Sequence, residues 1–277
     1  MATPLPASGH RPGRRAGVAL LLTFAGAAAA VLLSLPALAI PLDPLTLFVV
    51  ATVLSELGFA VVAVAFVAAT GAGLRYLNLH RLDRRAVLFV LGGTAGMFVY
   101  RIVGIAVVQL LGLPVAGNAV TDFPGLDVGT IVLLLVPISI VVVGPAEELL
   151  FRGVIQRYLE GGFSRTWAIL GTGVLFSLVH LPTTFLADPD PTAVATTLVL
   201  LFGLSLVLSY LYAWTGNLVV PILAHGLYDT LLFALAYVVI EVQKLPTVFL
   251  DPNDPTSKPP ATRTGRRLRT RNVDGLL

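Results

Sequence analysis

The sequence predicts an all-α fold: a polytopic transmembrane helix bundle with about seven (seven to eight) spans. Of 277 residues, 56% are hydrophobic and only 12% are charged, whereas a soluble domain carries roughly 25% charged residues. So few charges leave too little solvated surface for a globular protein. Several apolar runs reach the roughly 20 residues that a helix needs to cross a bilayer. Cysteine is absent, which excludes disulfides and cysteine-ligated metal sites.

Seven apolar segments follow one another along the chain. We expect residues 1–15 to form a basic N-terminus, 16–128 to hold the first three helices, 129–240 to form a second helix bundle and 241–277 to be a disordered basic tail. The first segment ends in Ala37-Leu38-Ala39, which is similar to a signal-peptide cleavage site. Its apolar run is longer than the roughly 7–15 residues of a signal peptide, which favours an uncleaved helix. The predicted spans are 16–40, 46–71, 86–112, 129–158, 167–187, 191–213 and 217–240.

Basic residues are confined to alternate loops. This pattern predicts a multi-pass cell-membrane protein with a cytoplasmic N-terminus and cytoplasmic loops 72–85 and 157–166. Seven spans would place the basic tail, from Lys258 to Arg271, on the opposite side, so an eighth span stays an alternative. Arginines on the cytoplasmic side are Arg11, Arg14, Arg15, Arg75, Arg81, Arg84, Arg85, Arg157 and Arg165, and the other loops carry Asp43, Asp122, Asp127, Asp188 and Asp190. The net charge is only +3, and nothing in its distribution indicates nucleic-acid binding.

Ionisable residues inside the spans mark functional sites by default, because each costs several kcal/mol at bilayer depth. The first half contributes Glu56 and Arg101, which we interpret as a structural pair or pore residues. The second half contributes a larger set. Its members are Glu147, Glu148, Arg152, His180, His225 and Asp229.

The second-half residues lie at similar depths in three predicted helices. At about 1.5 Å per residue, Glu147 lies about 15 Å from the cytoplasmic end of its helix, His180 about 20 Å, His225 about 12 Å and Asp229 about 18 Å. We therefore expect Glu147, His180 and His225 to surround one polar cavity that opens to the cytoplasm.

Gly92 and Gly96, four residues apart, predict a helix-packing face.

Local spacing predicts individual roles. Glu148 and Arg152 are four residues apart and can pair on one helix face, although such a pair alone could serve only to stabilise the helix. Glu147 points about 100° away from Glu148 and is free to face a substrate. His180, next to Pro182, could alternatively bind a backbone carbonyl that the proline leaves free.

Three motifs occur in order on successive apolar helices. Residues 147–152 read EExxxR, residues 176–180 read FxxxH and residues 225–229 read HxxxD. Together they resemble the CPBP family of CAAX prenyl proteases and bacteriocin-processing enzymes, also called Abi. The last motif more often ends in Asn in that family.

The resemblance implies an intramembrane endopeptidase, a hydrolase labelled a metalloprotease. Glu147 with His180 would activate the attacking water, His225 and Asp229 would stabilise the oxyanion, and Glu148 and Arg152 would support the site. Glu147, His180 and His225 could also hold Zn²⁺, but a metal-free glutamate mechanism uses the same residues. The implied partners are the lipid bilayer and a peptide or membrane-protein substrate, which could carry a prenyl group. The alternatives are a proton-coupled transporter, which usually shows repeat symmetry, and a non-catalytic membrane scaffold.

Overall fold

The computed structural model describes residues 12–244, whose regular secondary structure is helical and includes no β-strand. The all-α prediction is therefore confirmed. Predictions about residues 1–11 and about the tail from 245 onward lie outside the described residues. The long helices are α1 (Pro12–Leu38), α2 (Pro44–Ala69), α3 (Arg84–Leu110), α4 (Val128–Glu160), α5 (Arg165–Val179), α6 (Leu181–Ala187), α7 (Pro191–Thr215) and α8 (Val219–Lys244).

Seven spans within residues 12–244 are long and apolar enough to cross a membrane, with α5 and α6 counted as one. Their bounds lie within a few residues of the predicted ones. Aspartates cap many of the helices, since Asp43, Asp83, Asp127 and Asp190 each accept a hydrogen bond from a backbone N–H of the first turn. The hydroxyl and backbone N–H of Thr130 lower the pKa of Asp127 below its usual range, which keeps that cap ionised.

Helix α4 is irregular where the prediction had a regular helix. It is π-helical over Ser139–Val143 and again over Leu149–Gln156, with the α-helical turn Gly144–Glu148 between them. Pro145 has no N–H to offer the carbonyl of residue 141, so regular α-helical bonding cannot continue through it. Such π-helical insertions are frequent at functional sites.

An apolar core closes the bundle at the end that carries the arginine-rich loops. Leu77 from the 70–83 loop and Leu218 from the α7–α8 connection pack with Phe151 and Val154 of α4, and all four side chains are 0–1% exposed. The functional residues lie beyond this core, deeper in the bundle.

The predicted packing face on α3 is wrong within the described chain. A Cβ added at Gly92 or Gly96 meets no atom within 4 Å, whereas one at Gly93 meets the Leu211 side chain. The glycines of α3 that approach neighbouring helices are therefore Gly93, next to Leu211, and Gly104, next to Leu200.

Candidate active site

Two glycines bring α4 and α8 together at the site. A Cβ added at Gly226 would lie 2.8 Å from Ile140 Cα, and one at Gly144 would lie 2.8 Å from the carbonyl oxygen of Ile222. Only glycine allows so close a backbone approach. The crossing places Glu147 and Glu148, just after Gly144, beside His225, just before Gly226.

A fully buried ion pair anchors one edge of the site. Arg152 Nη1 donates to Glu148 Oε1 at 2.7 Å, and both side chains are 0% exposed. The predicted pair is therefore confirmed. Arg152 Nη2 also donates to the hydroxyl oxygen of Ser205 at 2.6 Å, and the guanidinium lies 4.6 Å from the centre of the Phe176 ring. These contacts hold Arg152 in place as the donor to Glu148.

His225 lies between two carboxylates. Its Nδ1 is 2.9 Å from Glu148 Oε1 and its Nε2 is 3.3 Å from Asp229 Oδ2. Because Glu148 already accepts from Arg152, Nδ1 of His225 must be the donor to it. The arrangement of Arg152, Glu148 and His225 sets the orientation of the imidazole ring and directs Nε2 into the site.

His180 lies where the helix is interrupted, between α5 and α6. Its Nδ1 donates to the carbonyl oxygen of Phe176 at 2.8 Å, since a carbonyl can only accept. That bond leaves the lone pair on Nε2, which lies 3.8 Å from Glu147 Oε1. The Phe176 ring packs against both histidines, with its centroid 4.9 Å from that of His180 and 6.0 Å from that of His225.

Glu147 faces both histidines. Its Oε1 lies 3.8 Å from His180 Nε2 and its Oε2 lies 3.9 Å from His225 Nε2. The side chain is only 7% exposed, and Oε2 has no hydrogen-bond partner among residues 12–244. This carboxylate therefore keeps lone pairs that can accept a proton from a reactant, and, unlike Glu148, it faces both histidine Nε2 atoms.

The site lies on a cavity of about 350 Å³ that includes Glu147, His180, His225 and Asp229 in its lining. The predicted convergence of these residues is observed. The lining extends away from the arginine-rich loops, to the loop between α3 and α4 and to Thr183 and Thr184 of α6. It therefore does not extend towards the end of the bundle that was predicted to be cytoplasmic.

The first half of the chain also contributes to this cavity. Glu56 and Arg101 line it, although their sequence suggested a structural pair or pore residues apart from the chemistry. They are the only two ionisable residues in the middle of the first three spans, and this was the one signal that could have assigned them to the site. Their helices are far from the motifs in sequence, so their position depended on the packing of the bundle.

The zinc expectation requires donors that converge on one point. Tetrahedral zinc with ligand bonds of about 2.0–2.2 Å places its donors about 3.4 Å apart. The two histidine Nε2 atoms instead lie 3.8 and 3.9 Å from different oxygens of Glu147. No group of three or more His, Asp and Glu side chains within residues 12–244 is arranged to hold a metal ion. The described residues are thus not arranged around one zinc position, and a zinc site stays a prediction.

Comparison with known proteins supports the resemblance drawn from the motifs. Residues 129–231 match the family described as type II CAAX prenyl endopeptidase Rce1-like. The matched segment contains all seven motif residues, from Glu147 to Asp229, and confirms the family resemblance. No curated protein and no solved structure matches the chain.

Proposed function

We propose that this chain, which matches the Rce1-like prenyl endopeptidase family over residues 129–231, is an intramembrane endopeptidase with Glu147 as its general base. The observation that carries the proposal is the position of that carboxylate. It lies between two histidine Nε2 atoms, buried, with one oxygen unpartnered among the described residues and facing a cavity. A base for the water and a donor for the oxyanion are the two groups that peptide hydrolysis needs.

In the first step a water molecule binds between Glu147 and Nε2 of His180. Glu147 takes one proton from it as the oxygen attacks the scissile carbonyl carbon. Nε2 of His180 accepts the second hydrogen of the water and so holds its lone pair towards the substrate. The Nδ1 bond to Phe176 keeps the His180 ring in that orientation.

In the second step the negative charge on the substrate oxygen needs a hydrogen-bond donor. With both ring nitrogens protonated, His225 donates from Nδ1 to Glu148 and from Nε2 to the oxyanion. Asp229, 3.3 Å from that Nε2, holds the proton in place before the oxyanion forms. Glu147 then gives its proton to the leaving nitrogen as the C–N bond breaks and the carbonyl re-forms. The products are a free amine and a carboxylic acid, which releases its proton to solvent as it leaves the site.

Glu148 and Arg152 act through His225. Arg152 neutralises Glu148, and the hydrogen bond from His225 to Glu148 directs Nε2 of that histidine into the site. Both residues are fully buried, so they position the histidine and do not touch the substrate.

The substrate is a peptide or a segment of a membrane protein within reach of the cavity. The name of the matched family makes a prenylated C-terminus the first probe to use. A quenched fluorogenic peptide that ends in a farnesylated CAAX sequence would report cleavage by protein reconstituted in liposomes. In parallel, new peptide termini in cells that express the chain would identify substrates without assuming a prenyl group.

The deciding variant is Glu147→Gln, which keeps size and hydrogen bonding but removes the base. Loss of a general base typically lowers the rate by about 10²–10⁴-fold, so cleavage should nearly disappear while expression and insertion are retained. Glu241→Gln is the matched control, because Glu241 is 42% exposed near the end of α8 and pairs with Lys244. The proposal is supported if new peptide termini appear in cells that express wild type or Glu241→Gln and are absent from cells that express Glu147→Gln. Equal cleavage by Glu147→Gln and wild type would refute it.

A proton-coupled transporter is the second candidate. One observation favours it: all seven spans line the cavity, including α2 with Glu56 and α3 with Arg101. Liposomes loaded with a pH-sensitive dye distinguish the two functions. Proton flux that is lost in Glu147→Gln, with no new peptide termini from wild type, would favour transport.

A further inference from the structure

The cavity extends from the catalytic residues towards one end of the bundle only. At the arginine-rich end the cavity stops inside the bundle. The lining residue nearest to that end is His225, which lies six residues, or about 9 Å, from the start of α8 at Val219. At the opposite end the lining reaches Thr184, three residues before Ala187, and also includes Ala116, Gly117 and Asn118 of the α3–α4 loop.

The α3–α4 loop is packed against the bundle at that end. The backbone N–H of Ala116 donates to Thr197 Oγ1 at 3.0 Å, and the Thr197 hydroxyl donates back to the Ala116 carbonyl at 3.1 Å. Ala116 is 2% exposed. The loop therefore forms part of the cavity wall.

The arginine-rich end is closed by packed side chains. Tyr76 and Leu77 from the 70–83 loop and Leu218 from the α7–α8 connection cover Leu150 and Phe151, and none of the five is more than 4% exposed. A polypeptide could not reach Glu147 from that side without unpacking this core.

Charge assigns the two ends to the two sides of the membrane. The closed end carries Arg14 and Arg15 of α1, the arginines of the 70–85 segment, Arg157 and Arg165. At the open end Lys244 is the one lysine or arginine among residues 12–244, and it pairs with Glu241 at 2.6 Å. Only charges within roughly 20 residues of the end of a transmembrane helix influence orientation under the positive-inside rule. In the tail that follows α8, Lys258 and Arg263 are the only lysine or arginine residues within this distance. The closed end is therefore cytoplasmic, and the end at which the α3–α4 loop lines the cavity is external.

We infer that the polypeptide cleaved at Glu147 approaches from the non-cytoplasmic side. The substrate is then a translocated segment, such as the external terminus or loop of a membrane protein. Along α4 the lining runs from Leu135 to Glu147, which is twelve residues or about 18 Å. An extended chain covers about 3.3 Å per residue, so about six extended residues must lead to the scissile bond. This inference rests on the proposed peptidase function.

Cysteine labelling tests the direction of access without any substrate, since the natural chain contains no cysteine. Ser55→Cys places a thiol in the cavity and Gly117→Cys places one in the α3–α4 loop, where an added Cβ meets no atom within 4 Å. Leu74→Cys marks the closed end, where Leu74 is 70% exposed. A membrane-impermeant maleimide is applied to protoplasts and to inverted membrane vesicles.

We expect Ser55→Cys and Gly117→Cys to be labelled in protoplasts only, and Leu74→Cys in inverted vesicles only. Labelling of Ser55→Cys from the cytoplasmic side, from both sides or from neither would overturn the inference. So would labelling only by a lipid-permeant maleimide, which would indicate entry from the bilayer. Gly117→Cys labelled only in inverted vesicles would overturn the assignment of sides.

Two further measurements connect access with cleavage. A bulky maleimide on Gly117→Cys should cause loss of cleavage of a substrate identified from new termini, whereas the same reagent on Leu74→Cys should not. Unchanged cleavage after complete labelling of Gly117→Cys would count against the route. Labelling in the Glu147→Gln background should match that of the parent variants, so failure of the peptidase proposal, measured by cleavage, is distinguishable from failure of the access route.

Discussion

The substitution Gly226→Ala, which adds one methyl group, tests whether the close contact between α4 and α8 positions the catalytic residues. In Gly226→Ala the new Cβ would lie 2.8 Å from Ile140 Cα, 3.2 Å from the Ser139 carbonyl oxygen and 3.3 Å from Ile140 Cγ1. Carbon atoms in ordinary contact are about 3.5–4.0 Å apart, so the two helices must separate by roughly 1 Å. Two of the three contacts are with backbone atoms, which cannot rotate away.

A separation of this size reaches the catalytic groups directly. His225 is the neighbour of Gly226, and its Nδ1 lies 2.9 Å from Glu148 Oε1. An increase of roughly 1 Å breaks that hydrogen bond. A misplacement of about 1 Å can lower a catalytic rate by about 10²-fold, and overpacking typically costs about 1–3 kcal/mol of stability.

Gly96→Ala is the matched control. It is also a glycine-to-alanine change in a transmembrane helix, but its Cβ would meet no atom within 4 Å. Both variants gain about 0.5–1 kcal/mol from the lower chain entropy of alanine, so their difference isolates the contact. Cleavage rate and thermal unfolding in detergent are measured on both. If Gly226→Ala cleaves as fast as Gly96→Ala, the close approach is not what positions His225.

Two further predictions concern the chemistry of the site. Asp229→Asn should retain cleavage close to the wild-type rate, because the amide keeps the size and can accept from His225 and also donate to an oxyanion; a loss as large as that of Glu147→Gln would show that the negative charge itself is required. Purified protein treated with a strong chelator should keep its cleavage rate, since the proposed steps use only side chains. Loss of activity that returns on adding Zn²⁺ would restore the expectation of a zinc site at Glu147, His180 and His225.

The spans and the candidate residues could be read from local sequence. The length of an apolar run decides whether it can cross a bilayer, and that property belongs to each segment by itself. The same reasoning singled out Glu147, Glu148, Arg152, His180, His225 and Asp229, because ionisable groups are conspicuous in such runs. The pairing of Glu148 with Arg152 also followed from spacing alone, since residues four apart share a helix face.

The directions of side chains around a helix can be predicted from residue spacing only where the helix is regular. The positions of Glu147 and Glu148 around α4 were inferred for a regular helix, and the π-helical segments on either side alter that rotation. Sequence showed Pro145 but not which hydrogen bonds would replace the lost one. The orientation of Glu147 towards both histidines therefore became evident only in the folded bundle.

Sequence by itself determined that this protein is an all-α bundle with about seven apolar spans, and it marked the residues with which the chain can do chemistry. Tertiary structure decided how those residues meet. The crossing of Gly144 with Gly226, about 80 residues apart, places Glu147 beside His225, and the packing of α2 and α3 brings Glu56 and Arg101 to the same cavity. The direction of the cavity was likewise decided by loops, because Leu77 and Leu218 fill one end while Ala116 and its neighbours line the other. Contacts between distant segments leave no periodic pattern in either segment, so no local reading of the sequence contains them.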